Sequence, residues 1–331
     1  MATIKDVAKE SGLAVATVSR ILNNRGYISE ESRQKVSDAM KKLHYQPNEV
    51  ARSLSKQTNY TIGLIVPHIR HPYFAMLISE IESAASEKGY RILLFNSKSN
   101  TAMQTKYVEK CKSNRVAGII LCSATVTEDN LSGIGVPVIA IERFFTTATA
   151  SVECDNYTGG KLAAEHLAAC GCRKALIIGG GSNTKMPADD RTTGFIETFA
   201  KSGMSCIEIK TTFDEYNAGD YHERINSLLD QNMASPENID CIFASSDLIA
   251  AQYIQDASER GIRIPQDIKV VGFDDTIIAS LMCPSITTIH QPIREIAEKS
   301  VELLISAAAG EKVPARVTLP VRLVVRKSTD V

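Results

Sequence analysis

From Thr61 onward the chain alternates short apolar runs with longer amphipathic stretches, and this alternation limits its fold more than any other feature. Strands are expected at Ile62 to Val66, Arg91 to Asn96, Gly118 to Cys122, Val138 to Glu142, Ala175 to Gly179, Cys206 to Lys210, Cys241 to Ala244 and Val270 to Phe273. Near-continuous apolar runs mark strands buried on both faces, as in parallel sheets. Helices fit between them, among them Phe74 to Lys88, Tyr157 to Ala169, Thr193 to Ser202 and Asp247 to Arg260. The repeated order of strand and helix predicts two doubly wound α/β subdomains in tandem, with ligands bound beyond the carboxyl ends of the strands. No nucleophile beside a base, no paired acid and base and no cofactor fingerprint is present, so no catalytic residue or cofactor is assigned and the chain is read as a non-enzyme. The run Gly179-Gly180-Gly181-Ser182 departs from the phosphate-loop pattern and reads as a strand-to-helix loop on the rim of a cleft.

The first 56 residues have a different texture. Thr3 can cap a short helix with Ile4, Val7 and Ala8 on one face, and Gly12 ends it after about two turns. The run from Ala14 to Asn23 then reads as the second helix of a helix-turn-helix, the element that enters a major groove. Ser29 is placed to cap a third helix with Val36, Met40 and Leu43 on one stripe, ending near His44 and Tyr45. Val18, three residues after Val15, is expected to face the first helix and the small core. Pro47 opens a further helix-compatible segment that is too short to be stable alone. These 56 residues carry ten basic and six acidic side chains, a net +4, against −5 for the remainder. A positive arm on an acidic body suits local contact with phosphate.

Eight cysteines are scattered through the chain, several inside apolar runs, and they read as reduced, buried small hydrophobes. The Cys170-x-Cys172 pair has no second pair at zinc-finger spacing, and His68 and His71 have no Cys or acidic cluster near them in sequence, so no metal is assigned. Nothing at the N-terminus has the length of an apolar signal segment, and no stretch approaches the roughly 20 apolar residues of a membrane span. A cytoplasmic protein without membrane contact is expected.

Four motifs together resemble the lactose/galactose repressor family of bacterial transcription regulators over essentially the whole chain. They are Ile4-Lys5-Asp6-Val7-Ala8, Ala16-Thr17-Val18-Ser19-Arg20-Ile21-Leu22-Asn23, Tyr45-Gln46-Pro47-Asn48-Glu49-Val50-Ala51-Arg52-Ser53-Leu54, and Val271-Gly272-Phe273-Asp274-Asp275; the stretch Leu319 to Thr329 also matches. The resemblance implies an α/β protein with an N-terminal three-helix helix-turn-helix headpiece (1–46), a hinge helix (47–57) and an effector-binding and dimerisation core (58–331). That core would consist of two doubly wound parallel-sheet subdomains of periplasmic-binding-protein type, with the chain crossing between them three times. Subdomain one is expected over about 60–158 and 289–320, and subdomain two over about 159–288 and 321–331.

The resemblance also implies roles. Val15, Ala16 and Arg20 would meet base edges, the first two at a thymine methyl and Arg20 at guanine O6 and N7, worth about 1 to 3 kcal/mol of discrimination. Thr17 and Ser19 would hold phosphate, and Thr3, Asn23, Tyr45 and Asn48 complete the DNA-facing set. Leu54, with Ala51 beside it, would wedge into the minor groove and kink the duplex. In the cleft, Arg191 would bind hydroxyls or a carboxylate, Asp274 would accept from two hydroxyls, and Tyr73 and Phe74 would stack on a ring. Arg143 and Ser246 are further cleft candidates, His71 stands where the family usually has Asn, and Asp275 is expected to cap the helix after it. The implied partners are a pseudo-palindromic double-stranded operator, a second copy of the chain and a sugar or sugar derivative. Tyr73-Phe74 keeps a purine open, and a soluble sugar-binding transport component is the other reading of the core. The chain ends at Val331 with no heptad helix after the last strand, so a homodimer is expected.

Overall fold

Caps start and stop the helices of the N-terminal unit. In α1 (Ile4–Ser11) the Thr3 side chain accepts from the Asp6 N–H while Asp6 accepts from the Thr3 N–H, a reciprocal capping box, and Gly12 ends the helix at φ +68°. Helix α2 (Val15–Leu22) starts at Ala14 without a side-chain cap, and α3 (Glu30–Lys42) starts at Ser29, whose hydroxyl accepts from the Ser32 N–H. Val7, Ala8, Val18, Val36 and Ala39 form the buried centre of the three, with Ile21, Leu22, Met40 and Tyr45 against it. Val18 is completely buried, as its spacing predicts.

The computed structural model describes residues 2–23, 27–46, 59–122, 128–131, 133–180, 186–234 and 239–330. They divide into two units, Met1–Asn59 and Tyr60–Val331. The expected hinge at 47–57, with Asn48, Ala51 and Leu54, lies outside the described residues.

The second unit begins with β1 (Thr61–Val66), α4 (Pro72–Glu87), β2 (Arg91–Asn96), α5 (Thr101–Ser113), β3 (Gly118–Leu121), α6 (Glu128–Leu131), β4 (Val138–Ile141) and β5 (Ala150–Cys154). It continues with α7 (Asn156–Ala169), β6 (Lys174–Gly179), α8 (Asp189–Lys201), β7 (Ser205–Lys210), α9 (Phe213–Ala218), α10 (His222–Ala234), β8 (Cys241–Ala244), α11 (Asp247–Glu259), β9 (Lys269–Asp274) and α12 (Ile277–Leu281). The last elements are β10 (Thr287–His290), α13 (Ile293–Ala308), β11 (Arg316–Leu319) and β12 (Arg322–Val324). One six-stranded sheet runs β11-β5-β4-β3-β1-β2 and the other β12-β10-β9-β8-β6-β7. Every pairing is parallel except β10 with β12.

Sheet membership sets the three crossings. The first falls at Asp155, ahead of α7, because α7 packs on α8 and on β10 and β12 of the second sheet. The second follows β10, because that strand pairs with β9, and the third lies between β11 and β12. The expected boundaries at 158 and 289 therefore move by a few residues, each to the end of a complete element. Strand β10 escaped sequence reading because it is half threonine. Buried Thr287 donates to the Arg326 carbonyl and buried Thr288 donates to Asp247, so hydroxyls are accepted inside the sheet.

Helices α7 and α8 cross with almost no side chain between them. A Cβ placed on Gly160 would lie 1.8 Å from the Arg191 carbonyl oxygen, and one on Gly194 would lie 2.1 Å from that of Tyr157. Paired glycines bring the backbone of α8 this close, and the contact fixes the point from which Arg191 departs.

Candidate functional site

The carboxyl ends of strands from both sheets enclose one cavity of about 160 Å³. Pro67 and His71 follow β1, Cys122 follows β3, and Glu142 and Arg143 follow β4; Gly180, Thr211, Ser245, Ser246 and Gln291 follow strands of the second sheet, and Asp274 ends β9. All six candidate effector residues, Tyr73, Phe74, Arg143, Arg191, Ser246 and Asp274, line it. Beside the lining residue Tyr216, His68 Nε2 stands 3.0 Å from Asn217 Oδ1, and the Tyr216 ring meets the His68 ring edge-on at 5.6 Å.

Arg191 is the best-supported side chain. Its guanidinium stacks on the Phe273 ring at 3.7 Å, its Nε donates to Asn156 Oδ1 at 2.6 Å, and its Nη1 donates to the Ser245 carbonyl at 3.0 Å. Asn156 in turn donates to Glu142, which also accepts from the Cys154 N–H. A polar chain thus runs from the end of β4, through the first crossing, to the arginine. Its Nη2 has no hydrogen bond among the described residues and remains available to a ligand. Burial opposes the charge on Arg191, but Cys154, Asp274 and Glu142 outweigh it and raise the pKa, so the group stays cationic.

Asp274 lies 3.8 Å from Arg191 Nη1 and accepts from Gln291 Nε2 at 2.7 Å. Burial drives its carboxyl well above the ordinary aspartate range, against the pull of Arg191. Its backbone holds φ +114°, and Glu142 holds φ +53°, both rare for residues with a side chain. Two acids of one cavity are therefore aimed by uncommon backbone geometry, a pattern of functional sites.

The most informative feature is what remains unpaired. Nδ1 of His71, Oη of Tyr73, Nε of Arg143 and Oε1 of Gln291 are buried and have no hydrogen-bond partner among the described residues, and all four residues line this cavity. Buried polar atoms normally find partners, so this concentration points to a ligand that brings both donors and acceptors. Phe74, Met186, Ile141 and Tyr216 supply apolar wall between the polar atoms.

Several expectations change. The Ser246 hydroxyl accepts from the Ile249 N–H as the cap of α11, leaving its proton and one lone pair for a ligand. Asp275 caps no helix: Thr276 precedes α12, and Asp275 instead pairs with Arg326 at 2.6 Å and His290 at 2.8 Å. Those partners lie 51 and 15 residues away in sequence, beyond the reach of local capping logic. Glu142, Asn156 and Gln291 carried no sequence signal of their own.

His71 sits in the N-cap position of α4, and burial, with a smaller contribution from His68, lowers its pKa to about 4. Because the folded value lies below the unfolded one, its contribution to stability is complete above the ordinary value of 6.5. It is lost as pH falls toward 4, since only the unfolded chain takes up the proton. Between pH 7 and 5 the wild-type core should lose about 2 kcal/mol more stability than His71→Asn. Denaturant titrations of both proteins at the two pH values check this; equal losses would contradict it.

In the N-terminal unit, Val15 is 41% exposed at the start of α2, and Ala16 and Arg20 are exposed on the side of that helix opposite buried Val18. Arg20 has no ion pair among the described residues. Thr17 and Ser19 are partly exposed at the edges of that face. Thr3 is committed to the capping box and Asn23 donates to the Ser19 carbonyl, so both hold helix ends, while Tyr45 packs on the small core.

Comparison with known proteins covers both units. Residues 3–48 match the family described as bacterial regulatory proteins, lacI family, and residues 164–329 match the periplasmic binding protein-like domain. The ribose operon repressor of Halalkalibacterium halodurans is 36% identical, over 99% of this chain and 97% of its own length. The Lac repressor dimer bound to operator and the anti-inducer ONPF superposes with a TM-score of 0.87 at 25% identity, covering 99% of each chain. A periplasmic binding protein/LacI transcriptional regulator from Alkaliphilus metalliredigens, complexed with D-xylulofuranose, gives 0.73 at 34% identity, covering 82% of this chain and 99% of that one.

Proposed function

The chain belongs to the lacI family of bacterial regulatory proteins, and on that premise we propose that it is a dimeric, sugar-controlled repressor whose effector is a monosaccharide of pentose size. The observation that carries the effector assignment is the set of four unpaired buried atoms around Arg191 and Asp274. A sugar presents hydroxyls that donate and accept, plus an apolar ring face for Phe74 and Tyr216. The cavity of about 160 Å³ lies below the roughly 300 to 1,000 Å³ of drug-sized ligand sites, which favours one sugar ring over two. The names of the relatives agree, one a ribose operon repressor and one complexed with a pentulose.

In this reading the headpiece (1–46) binds a pseudo-palindromic operator as a homodimer, with Val15, Ala16 and Arg20 reading bases and Thr17 and Ser19 on phosphate. Ala51 and Leu54 of the segment 47–57 enter the minor groove. The sugar binds one of two core states better, and operator affinity follows by linkage. No helix of the described residues is long and apolar enough to cross a membrane, and the working place of such a repressor is the cytoplasm.

The DNA half is tested with an operator selected from random duplexes. Arg20→Ala should lower affinity for it by about 5- to 150-fold, the equivalent of one bidentate guanine contact. It should relax preference at a single base position and leave sugar binding intact. Equal loss on every sequence would instead assign Arg20 to phosphate.

A further inference from the structure

At the edge of the second sheet away from the cleft, β6 and β8 begin side by side, with Ala175 paired to Cys241. This pairing brings Cys172, just ahead of β6, against Cys241 and its neighbour Asp240. The two sulfurs and a carboxylate oxygen of Asp240 all lie within 4.8 Å of one another. Both cysteines are buried and Asp240 is partly exposed. We propose that these three side chains form a binding site for a soft divalent cation of the zinc class, with water on the Asp240 side as the fourth ligand.

The donor set fits the ion. Zinc takes thiolate sulfur at about 2.3 Å and carboxylate oxygen at about 2.0 to 2.2 Å in a tetrahedron, which puts ligand atoms roughly 3.3 to 3.8 Å apart. That spacing falls inside the separation found. The carboxylate is already oriented, with Oδ2 accepting from the Arg173 N–H at 2.7 Å and Oδ1 from the Lys174 N–H at 3.1 Å, and a carboxylate oxygen that accepts one hydrogen bond keeps a second lone pair with which to meet a metal. Each thiol that becomes a ligand releases its proton to solvent, so the cation enters as two protons leave. The Cys170-x-Cys172 pair is the wrong grouping for this purpose, because Cys170 Sγ lies against His166 Nε2 at 3.7 Å. The productive partner lies 69 positions further along the chain, where only the pairing of β6 with β8 can deliver it. A bound ion would tie two central strands together at the edge remote from the effector.

The full-length protein, reduced, is titrated with cobalt(II) and then zinc(II). One equivalent of cobalt should give a thiolate-to-metal charge-transfer band that zinc displaces. Cys170→Ser should keep the band and Cys241→Ser should lose it with the fold retained by circular dichroism. Asp240→Asn, at the partly exposed ligand, keeps the test open should Cys241→Ser misfold, and should weaken cobalt binding at least about tenfold. A wild type without the band, a cobalt affinity unchanged in Asp240→Asn, a band unchanged in Cys241→Ser, or a Cys172–Cys241 disulfide formed in place of metal uptake would each overturn the proposal.

Discussion

Arg191→Lys is expected to lower pentose affinity by at least about tenfold while leaving operator binding by the sugar-free protein at its wild-type value. The charge survives this substitution, but the planar fork that reaches Asn156, the Ser245 carbonyl and the cavity at once does not. Arg191→Ala should go further, to a loss of roughly 100-fold or more, since hydrogen bonds from a charged group are worth about 1.5 to 3 kcal/mol each. It also leaves buried Asp274 without its nearest cation, so the alanine variant should be less stable. The lysine variant separates the two effects. Calorimetric titration with a pentose and anisotropy of labelled operator give the two readings. Wild-type sugar affinity in Arg191→Lys would remove the arginine from the account.

Gly160→Ala is expected to destabilise the core by at least about 3 kcal/mol, at or beyond the upper end of ordinary overpacking. The added methyl would meet the Arg191 carbonyl oxygen at 1.8 Å and the Phe195 nitrogen at 2.8 Å, and backbone atoms inside a packed helix cannot swing aside. The helices must separate, and Arg191 moves with α8. A melting temperature lower by on the order of 10 °C should therefore come with weakened sugar binding. Gly180→Ala is the control: a Cβ there has nothing within 4 Å among the described residues, and its melting temperature should stay within a degree or two of wild type. An unshifted Gly160→Ala would mean that the α7–α8 crossing is looser than described.

Local chemistry made much of this fold readable before any coordinates. Thr3, Gly12 and Ser29 mark helix ends through groups only a few residues away, and the apolar runs of a parallel sheet announce themselves because both faces are buried. Arg191 was legible through the resemblance to the repressor family, and Asp274 through that resemblance and its place at the end of an apolar run. What stayed hidden depends on partners distant in sequence. Thr287 and Thr288 look like loop residues until Arg326 and Asp247 are placed beside them, and Asp275 looks like a cap until Arg326 reaches it. The unpaired atoms of His71, Tyr73, Arg143 and Gln291 are a property of the closed cavity alone. No pattern of spacing encodes an absent partner.

The central claim is that a small sugar in this cavity controls a DNA-reading headpiece. The most direct test is the affinity of the full-length dimer for its selected operator, at fixed salt, with and without saturating D-ribose or D-xylulose, beside purines and disaccharides. The account predicts that at least one pentose shifts operator affinity about 5- to 150-fold, that the shift disappears in Arg191→Ala, and that purines and disaccharides do nothing. Operator affinity unchanged by every pentose, or shifted by a purine instead, would contradict it.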